Sequence, residues 1–597
     1  MLKNNQRKNK IDDRVLFKEL MRFLRPHLSK FIWSLILMVF VVVVDLIPPL
    51  FFALVIENIS SASTTADLRI VLLYLGAFVG VLLIALVINY FQSMILQVIG
   101  QKIIEEIRAE TFSHIVNWSP EQLNREPIGK MVTRVMNDSE SISQLFTSTI
   151  INLIRSIIMM ILIFIILITI SVKLTLIVMT IIPVIGVISY FFRKITRKTY
   201  RKIRDEISEL NAFLSENLSG MKITQIFNQE DKKREEFKEK SKNLEKIMQK
   251  EIMLYAIFRP LIYVVTNGSV ILVLYFGGLQ VIEMVLSFAI LYAFQEYANR
   301  FFQPVQQIAE EFNQLQDAFS SAEKIFSVLN EPAMIQDRPG AIELEEFKGH
   351  IEFKNVWFSY IEGEWVLKDV SFEVKPGQTV ALVGATGSGK TTILSLIVRN
   401  YEIQKGQILI DGIDIKDIKY QSIRKHIGQM LQDVFLFNDT IDKNIRLNND
   451  DIKKEDVLAA SKYVGAHSFI DKIPGKYDHM VLERGNNFST GQRQLISFAR
   501  AVVTKPKLLI LDEATANIDS ESEEIIQDSL KRIMQDQTMI IVAHRLSTIQ
   551  HSDKIIVLHK GRIVEEGNHQ ELLRNEGLYY NLYMIQFDEE VQKKVGK

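Results

Sequence analysis

Long apolar runs crowd the first half of the chain and are absent from the second. A hydrocarbon layer about 30 Å thick is crossed by roughly 20 apolar residues of helix. Phe31–Ile56 carries one charge, Asp45, and Ile70–Gly100 carries none. Thr147–Ser171 is broken only by Arg155, Leu174–Phe192 by nothing, and Leu254–Leu279 only by Arg259. Val281–Phe302 holds Glu283, Glu296 and Arg300 and is the weakest of the six. The pattern predicts six membrane-spanning helices. After residue 340 it changes to short strands, glycine turns and amphipathic helices.

Basic residues orient the spans, because cytoplasmic loops retain Lys and Arg. Residues 1–30 hold nine of them, and 101–134 and 193–250 are also rich in them. The loop at 57–69 holds only Arg69, and the turn after Ser171 only Lys173. Both termini are therefore expected in the cytoplasm of a multi-pass protein of the cell membrane. Helical periodicity runs on past the second and fourth spans, in "QKIIEEIRAETFSHIV" and "RKITRKTYRKIRDEISELNAFLSENL", so those helices should project far into the cytoplasm. Val15–Leu28 reads as a basic amphipathic helix on the inner surface. Asp45, just before Pro48-Pro49, lies either near the outer interface where the prolines bend the helix or against a watery cavity. Glu296 divides between a cavity role and a helix contact, while Arg155 and Arg259 are expected to snorkel to the inner interface.

Composition narrows the classes further. The 597 residues suffice for several domains, and 48% are hydrophobic although 23% are charged. Zero net charge does not indicate nucleic-acid binding. The absence of cysteine excludes disulfides, thiolate metal sites and a cysteine nucleophile. No signal-peptide layout is present. Four segments follow: 1–30 with the amphipathic helix, 31–330 spanning the membrane, a linker at 331–349, and a soluble α/β domain at 350–597.

That last segment carries the chemistry. In "TVALVGATGSGKTTILSLIV", Gly384-Ala385-Thr386-Gly387-Ser388-Gly389-Lys390-Thr391 fits the phosphate-binding P-loop between a strand and a helix, and Thr392 is counted with it as nucleotide-binding. Glycines let backbone N–H groups wrap phosphates at a helix N-terminus. Lys390 can reach the β- and γ-phosphates, and the Thr391 hydroxyl can bind Mg2+. "KLLILDEA" reads as a buried strand ending in two acids: Asp512 to hold Mg2+ through water and Glu513 to orient the attacking water. "MIIVAHR" reads as a strand tipped by His544, placed to hydrogen-bond a γ-phosphate.

With these motifs in this order, the chain resembles ABC exporter half-transporters of the multidrug type: a membrane all-α domain of six long helices fused to an α/β P-loop nucleotide-binding domain. The resemblance implies that Tyr360 stacks on adenine, that Gln432 senses Mg2+ and water, and that Asn517-Ile518-Asp519 forms the loop after the second carboxylate. It likens "ERG" at 483–485 to the loop touching the coupling helices, and "NREPIGKMVTRVMND" and "ENLSGMKITQIFNQE" to the two intracellular coupling regions. The second of these docks, in the family, on the opposite subunit. Each ATP in the family lies between one chain's P-loop and its partner's signature, usually Leu-Ser-Gly-Gly-Gln. Here the signature is Phe488-Ser489-Thr490-Gly491-Gln492. Ser489, Gly491 and Gln492 can still face a phosphate, whereas Thr490 adds bulk where backbone approaches closely. A chain intact on the P-loop side but altered in its signature is similar to the catalytic subunit of heterodimeric exporters. The resemblance therefore implies a second half-transporter as partner, a lipid bilayer around both, ATP and Mg2+ as cofactors, and a drug-like or lipid amphiphile as cargo. A homodimer, a peptide exporter, a regulatory ABC protein and a soluble P-loop ATPase of the DNA-repair kind stand as alternatives. Six spans oppose the last, Glu513 and His544 oppose a regulator, and the lack of a peptidase domain before residue 15 lowers the peptide reading.

Overall fold

A computed structural model describes residues 13–61, 68–512, 520–542 and 549–595. The chain divides into two compact units, residues 1–116 with 128–331 and residues 117–127 with 332–597.

The first unit is all helix. It comprises α1 (Asp13–Leu24), α2 (Leu28–Asp45), α3 (Ile47–Ser61) and α4 (Leu68–Val116). α5 (Pro120–Arg125) belongs to the second unit. α6 (Ile128–Ile170), α7 (Val172–Ser219), a short helix Met221–Ile226, α8 (Glu230–Ile282) and α9 (Phe288–Leu329) complete the first. Among the described residues five helical runs are long and apolar enough to cross a membrane: α1 to α3 taken together, α4, α6, α7 and α8. The sixth expected span is α9, a 42-residue helix that carries Glu296, Arg300 and Pro304. At about 1.5 Å per residue the 48 residues of α7 reach about 72 Å, over twice a hydrocarbon core of about 30 Å. The expected extension beyond the membrane follows from that length.

α1 buries Leu16, Leu20, Phe23 and Leu24, and Phe23 stacks on Phe326 of α9 at 6.3 Å. Its polar face keeps Arg22, bonded to Glu110 at 2.6 Å. α4 and α6 cross closely because Gly100 has no side chain: a Cβ there would stand 2.4 Å from the Thr147 methyl, and Ser143 Oγ donates to the Gly100 carbonyl at 3.0 Å.

Between α2 and α3, Pro48 and Pro49 cannot donate to the carbonyls of residues 44 and 45. The helix breaks there, and α9 covers the break. Arg300 Nη1 donates to the Asp45 carbonyl at 2.6 Å, and the Tyr297 hydroxyl donates to the Leu46 carbonyl at 2.5 Å. The Asp45 carboxylate accepts from Arg155 Nη2 at 2.7 Å. Arg155 is thus paired with Asp45 rather than alone, with 44% and 37% of the two side chains exposed.

The second unit holds two sheets. Antiparallel β1 (Ile351–Ser359), β2 (Trp365–Val374), β4 (Lys405–Ile410) and β5 (Ile413–Asp414) pair in the order β2-β1-β4-β5. The other runs β10-β9-β3-β8-β7-β6, with β3 (Thr379–Val383), β6 (Ile427–Met430), β7 (Leu508–Asp512), β8 (Thr538–Val542) and β9 (Lys554–His559) parallel and β10 (Arg562–Gly567) antiparallel at the edge. All five residues of β3, β7 and β8 are buried, so these strands are continuous apolar runs. Their period of two divides the core: Val380, Leu382, Leu508 and Ile510 face the cluster built on the antiparallel sheet, while Ala381, Val383, Leu509 and Leu511 face a helical cluster. α10 (Lys390–Ile397) follows β3, and α11 (Thr490–Val502) packs in the helical cluster.

Candidate functional site

β3 ends at Val383 and the chain turns through the glycine-rich loop into α10. Gly384 and Gly389 have φ of +155° and +106°, and a Cβ on either would collide, 2.3 Å from the Leu558 carbonyl oxygen and 2.6 Å from Leu367 Cδ2. Only glycine satisfies both the dihedral and the space. The loop is a fixed cradle opening at the N-terminus of α10.

Lys390 starts that helix and is 6% exposed. Its Nζ folds back on its own loop, donating to the Gly384 carbonyl at 2.6 Å and the Ala385 carbonyl at 3.1 Å. Burial pulls its pKa below the usual lysine range, and Asp512 opposes the shift. Asp512 closes β7 and is 9% exposed. The Ser388 hydroxyl is buried with no hydrogen-bond partner among the described residues. An orphaned hydroxyl beside a lysine ammonium and a row of loop N–H groups is a donor set that fits phosphate oxygens. Thr391 is exposed next to Lys390, and Thr392 is buried.

Gln432 lies two residues beyond β6 and is exposed. Met430 pairs with Leu511, so the end of β6 lies beside the strand end that carries Asp512. Thr391, Gln432 and Asp512 supply the oxygen donors that suit Mg2+. Tyr360 follows β1, is 47% exposed, and shares a 3.1 Å hydrogen bond with Thr392 Oγ1. Glu513, Asp519 and His544 lie outside the described residues, as do Asn517 and Ile518.

The signature begins α11. Ser489 caps the helix by accepting from the Gln492 N–H at 3.2 Å, and the Gln492 side chain accepts from the Ser489 N–H at 3.0 Å. Gly491 is buried in the first turn. Phe488 points inward, 6% exposed, with Phe469 at 6.4 Å and His479 at 5.8 Å between ring centroids. Thr490 turns its hydroxyl to Arg493, accepting from Nη2 at 3.2 Å. The first departure from the usual signature is therefore core packing, and the second is a side chain tied to its own helix. Among the described residues no hydrogen bond joins the side chains of Ser489 and Gln492 to the P-loop.

Two residues that the sequence did not single out stand beside this site. Arg399, 2% exposed, ends the segment after α10 and donates to the Gln336, Asp337, Glu402 and Ile418 oxygens at 2.9 to 3.2 Å. It ties residues 336–337 to the helix that presents Lys390. Gln122 of α5 holds residues 332–334 from the other side, donating to the Pro332 carbonyl at 3.1 Å and accepting from the Met334 N–H at 3.0 Å. The contacts depend on tertiary geometry, and a lone Arg in "IVRNYE" gave no signal of it.

Family comparisons agree with this geometry. Residues 31–305 match the family described as "ABC transporter transmembrane region", and residues 367–516 match the family described as "ABC transporter". An "ATP-dependent lipid A-core flippase" of Desulfotalea psychrophila (strain LSv54 / DSM 12343) is 36% identical, over 84% of this chain and 87% of its own length. The chain belongs to the ABC transporter family. The Bacillus subtilis (strain 168) "Probable multidrug resistance ABC transporter ATP-binding/permease protein YheH" is 39% identical, over 87% of this chain and 77% of its own. The "Fatty acid ABC transporter ATP-binding/permease protein" of Mycobacterium bovis (strain ATCC BAA-935 / AF2122/97) is 33% identical, over 84% and 79%. This half-transporter fuses a membrane domain to an ATP-binding domain, is a multi-pass membrane protein, and couples ATP hydrolysis to export.

Proposed function

We propose that this half-transporter exports amphiphilic small molecules, drugs or lipids, and that it works with a different half-transporter in which this chain gives the P-loop side of the hydrolysing site. The observation that carries the reading is an asymmetry. The P-loop side keeps Lys390, Thr391, Gln432, Asp512, Glu513 and His544, whereas the signature carries Thr490 bonded to Arg493. Flippase, multidrug and fatty-acid relatives support an amphiphilic cargo. The short helix Met221–Ile226 between α7 and α8 supports a dimer, because Met221, Ile223, Ile226 and Phe227 are exposed apolar side chains at one tip. Both termini are assigned to the cytoplasm on the Lys and Arg bias.

In the reaction Lys390 exchanges its two loop carbonyls for phosphate oxygens, and the Ser388 hydroxyl gains a partner. Thr391, Asp512 and Gln432 would hold Mg2+, which would supply positive charge to neutralise what develops on the phosphate oxygens. Glu513 orients and polarises the attacking water, and His544 donates to the γ-phosphate. Tyr360 stacks on the base. The partner's signature supplies the remaining donors, Ser489, Gly491 and Gln492 do the same for the partner's site, and Asp519, in the loop after the second carboxylate, adds to the nucleotide contacts.

A homodimer is the second reading. Phe488 leaves the ligand side untouched and the Thr490 hydroxyl is turned to Arg493, which favours tolerance of this signature in two equal sites. Co-purification from native membranes separates the two. The heterodimer predicts a partner of similar length with a Leu-Ser-Gly-Gly-Gln signature, lacking the glutamate after its strand-end aspartate or the switch histidine. Recovery of this chain alone as a self-pair overturns the heterodimer.

A further inference from the structure

Tyr360 is braced from three sides. Its hydroxyl shares a hydrogen bond with Thr392 Oγ1 at 3.1 Å. Its ring meets Tyr401 at 5.1 Å between centroids with planes at 85°, and Phe358 at 4.8 Å and 87°. Tyr401 closes the triangle against Phe358 at 5.7 Å and 62°. Its own hydroxyl accepts from Asn124 Nδ2 at 3.5 Å. Thr392 lies in the first turn of α10, so the helix that begins at Lys390 also pins the Tyr360 phenol.

Edge-to-face packing holds a ring in one plane without laying a parallel ring on it. Tyr360 accordingly keeps 47% of its surface open while its orientation is set. A base stacks on such a ring face to face, and a ring already in place loses little rotamer freedom when the base arrives. An unbraced tyrosine on the chain after β1 pays that cost at each binding event.

We propose that Tyr401, together with Thr392, is a positioning residue for nucleobase recognition, fixing the plane in which Tyr360 receives the base. The proposal rests on the reading of Tyr360 as the base-stacking ring. It assigns Tyr401 to affinity for the base and none of the affinity for the triphosphate. The strength of one edge-to-face ring pair corresponds to a roughly 2- to 12-fold change in a dissociation constant.

The test compares ATP with inorganic tripolyphosphate on the full chain in lipid nanodiscs, without divalent cation so that no turnover occurs. Dissociation constants are measured for the unaltered protein and for Tyr360→Ala, Tyr401→Leu, Tyr401→Met and Tyr401→Phe. Tyr401→Leu and Tyr401→Met are expected to weaken ATP by that factor and leave tripolyphosphate unchanged. Tyr401→Phe, which keeps the ring, is expected to stay near the unaltered value. Equal shifts for both ligands, or no shift for either, overturn the proposal. If Tyr401→Leu does not fold, Tyr401→Met decides by the same criterion. If Tyr360→Ala erases the preference for ATP but Tyr401→Leu and Tyr401→Met do not reduce it, the proposal fails and the stacking role stands. If the unaltered protein shows no preference for ATP over tripolyphosphate, the stacking role itself fails, and the proposal with it.

Discussion

Replacing Lys390 with methionine keeps an unbranched apolar stem and removes the charge that meets the phosphates. The ammonium is not idle before nucleotide binds: it donates to the Gly384 and Ala385 carbonyls at 2.6 and 3.1 Å. Binding therefore exchanges hydrogen bonds and does not simply add them. Two neutral acceptors give way to anionic phosphate oxygens, and the net gain is close to one hydrogen bond to a charged group, about 1.5–3 kcal/mol. At 1.4 kcal/mol per decade, Lys390→Met should weaken ATP by roughly 10- to 140-fold. AMP, which has no β- or γ-phosphate, should bind within about twofold of the unaltered protein by the same reasoning. Calorimetry on the nanodisc-embedded chain without divalent cation measures both. The lysine also sets a pH dependence. Burial places its pKa below the usual 10.5, so ATP affinity should fall as pH rises through that lowered value, before a solvated lysine would lose its proton. In Lys390→Met this alkaline limb should disappear. ATP affinity within twofold of normal in Lys390→Met, with the alkaline limb retained, would refute the exchange and leave the lysine as a brace of its own loop.

Other substitutions probe separate parts of the account. Glu513→Gln should nearly abolish hydrolysis while ATP remains bound; each 1.36 kcal/mol of lost barrier reduction is about tenfold in rate, and near-normal turnover excludes Glu513 as the catalytic carboxylate. Ser388→Ala should leave the nucleotide-free protein as stable or slightly more so, because it removes a buried hydroxyl without a partner, yet weaken ATP by about 1 kcal/mol, read as a fivefold rise in dissociation constant. In the membrane unit, Asp45→Asn and Arg155→Gln should each lower the thermal midpoint more than the double substitution does, since each alone strands the other charge. Strictly additive midpoints would mean that the pair is not coupled. If Asp45 also meets cargo, Asp45→Asn should alter export of cationic compounds more than of neutral ones.

Much of the fold could be read from local pattern because its physics is local. A membrane helix announces itself by apolar length, and the P-loop by glycines whose dihedrals no other residue tolerates, as at Gly384 and Gly389. Contacts between distant segments were not legible. Asp45 and Arg155 are 110 residues apart, and nothing in either helix fixes its rotation toward the other. The break at Pro48-Pro49 was visible, but its cover by Tyr297 and Arg300 was not, although Arg300 is one of the three charges that weaken that span by hydropathy. Phe488 reads as a change in a ligand-binding motif, and only packing against Phe469 and His479 shows it to be core. Arg399 and Tyr401 were missed because their value lies in partners up to 277 residues away, as for Asn124.

The most direct test of the central claim is ATP-dependent export and substrate-stimulated ATPase activity of this chain purified alone and reconstituted in vesicles, beside the same chain co-reconstituted with the half-transporter that co-purifies with it. Little turnover and little transport are expected from the chain alone. Both should appear with the partner, and Glu513→Gln in this chain should then abolish them. Robust substrate-stimulated hydrolysis and export by the chain alone would contradict it.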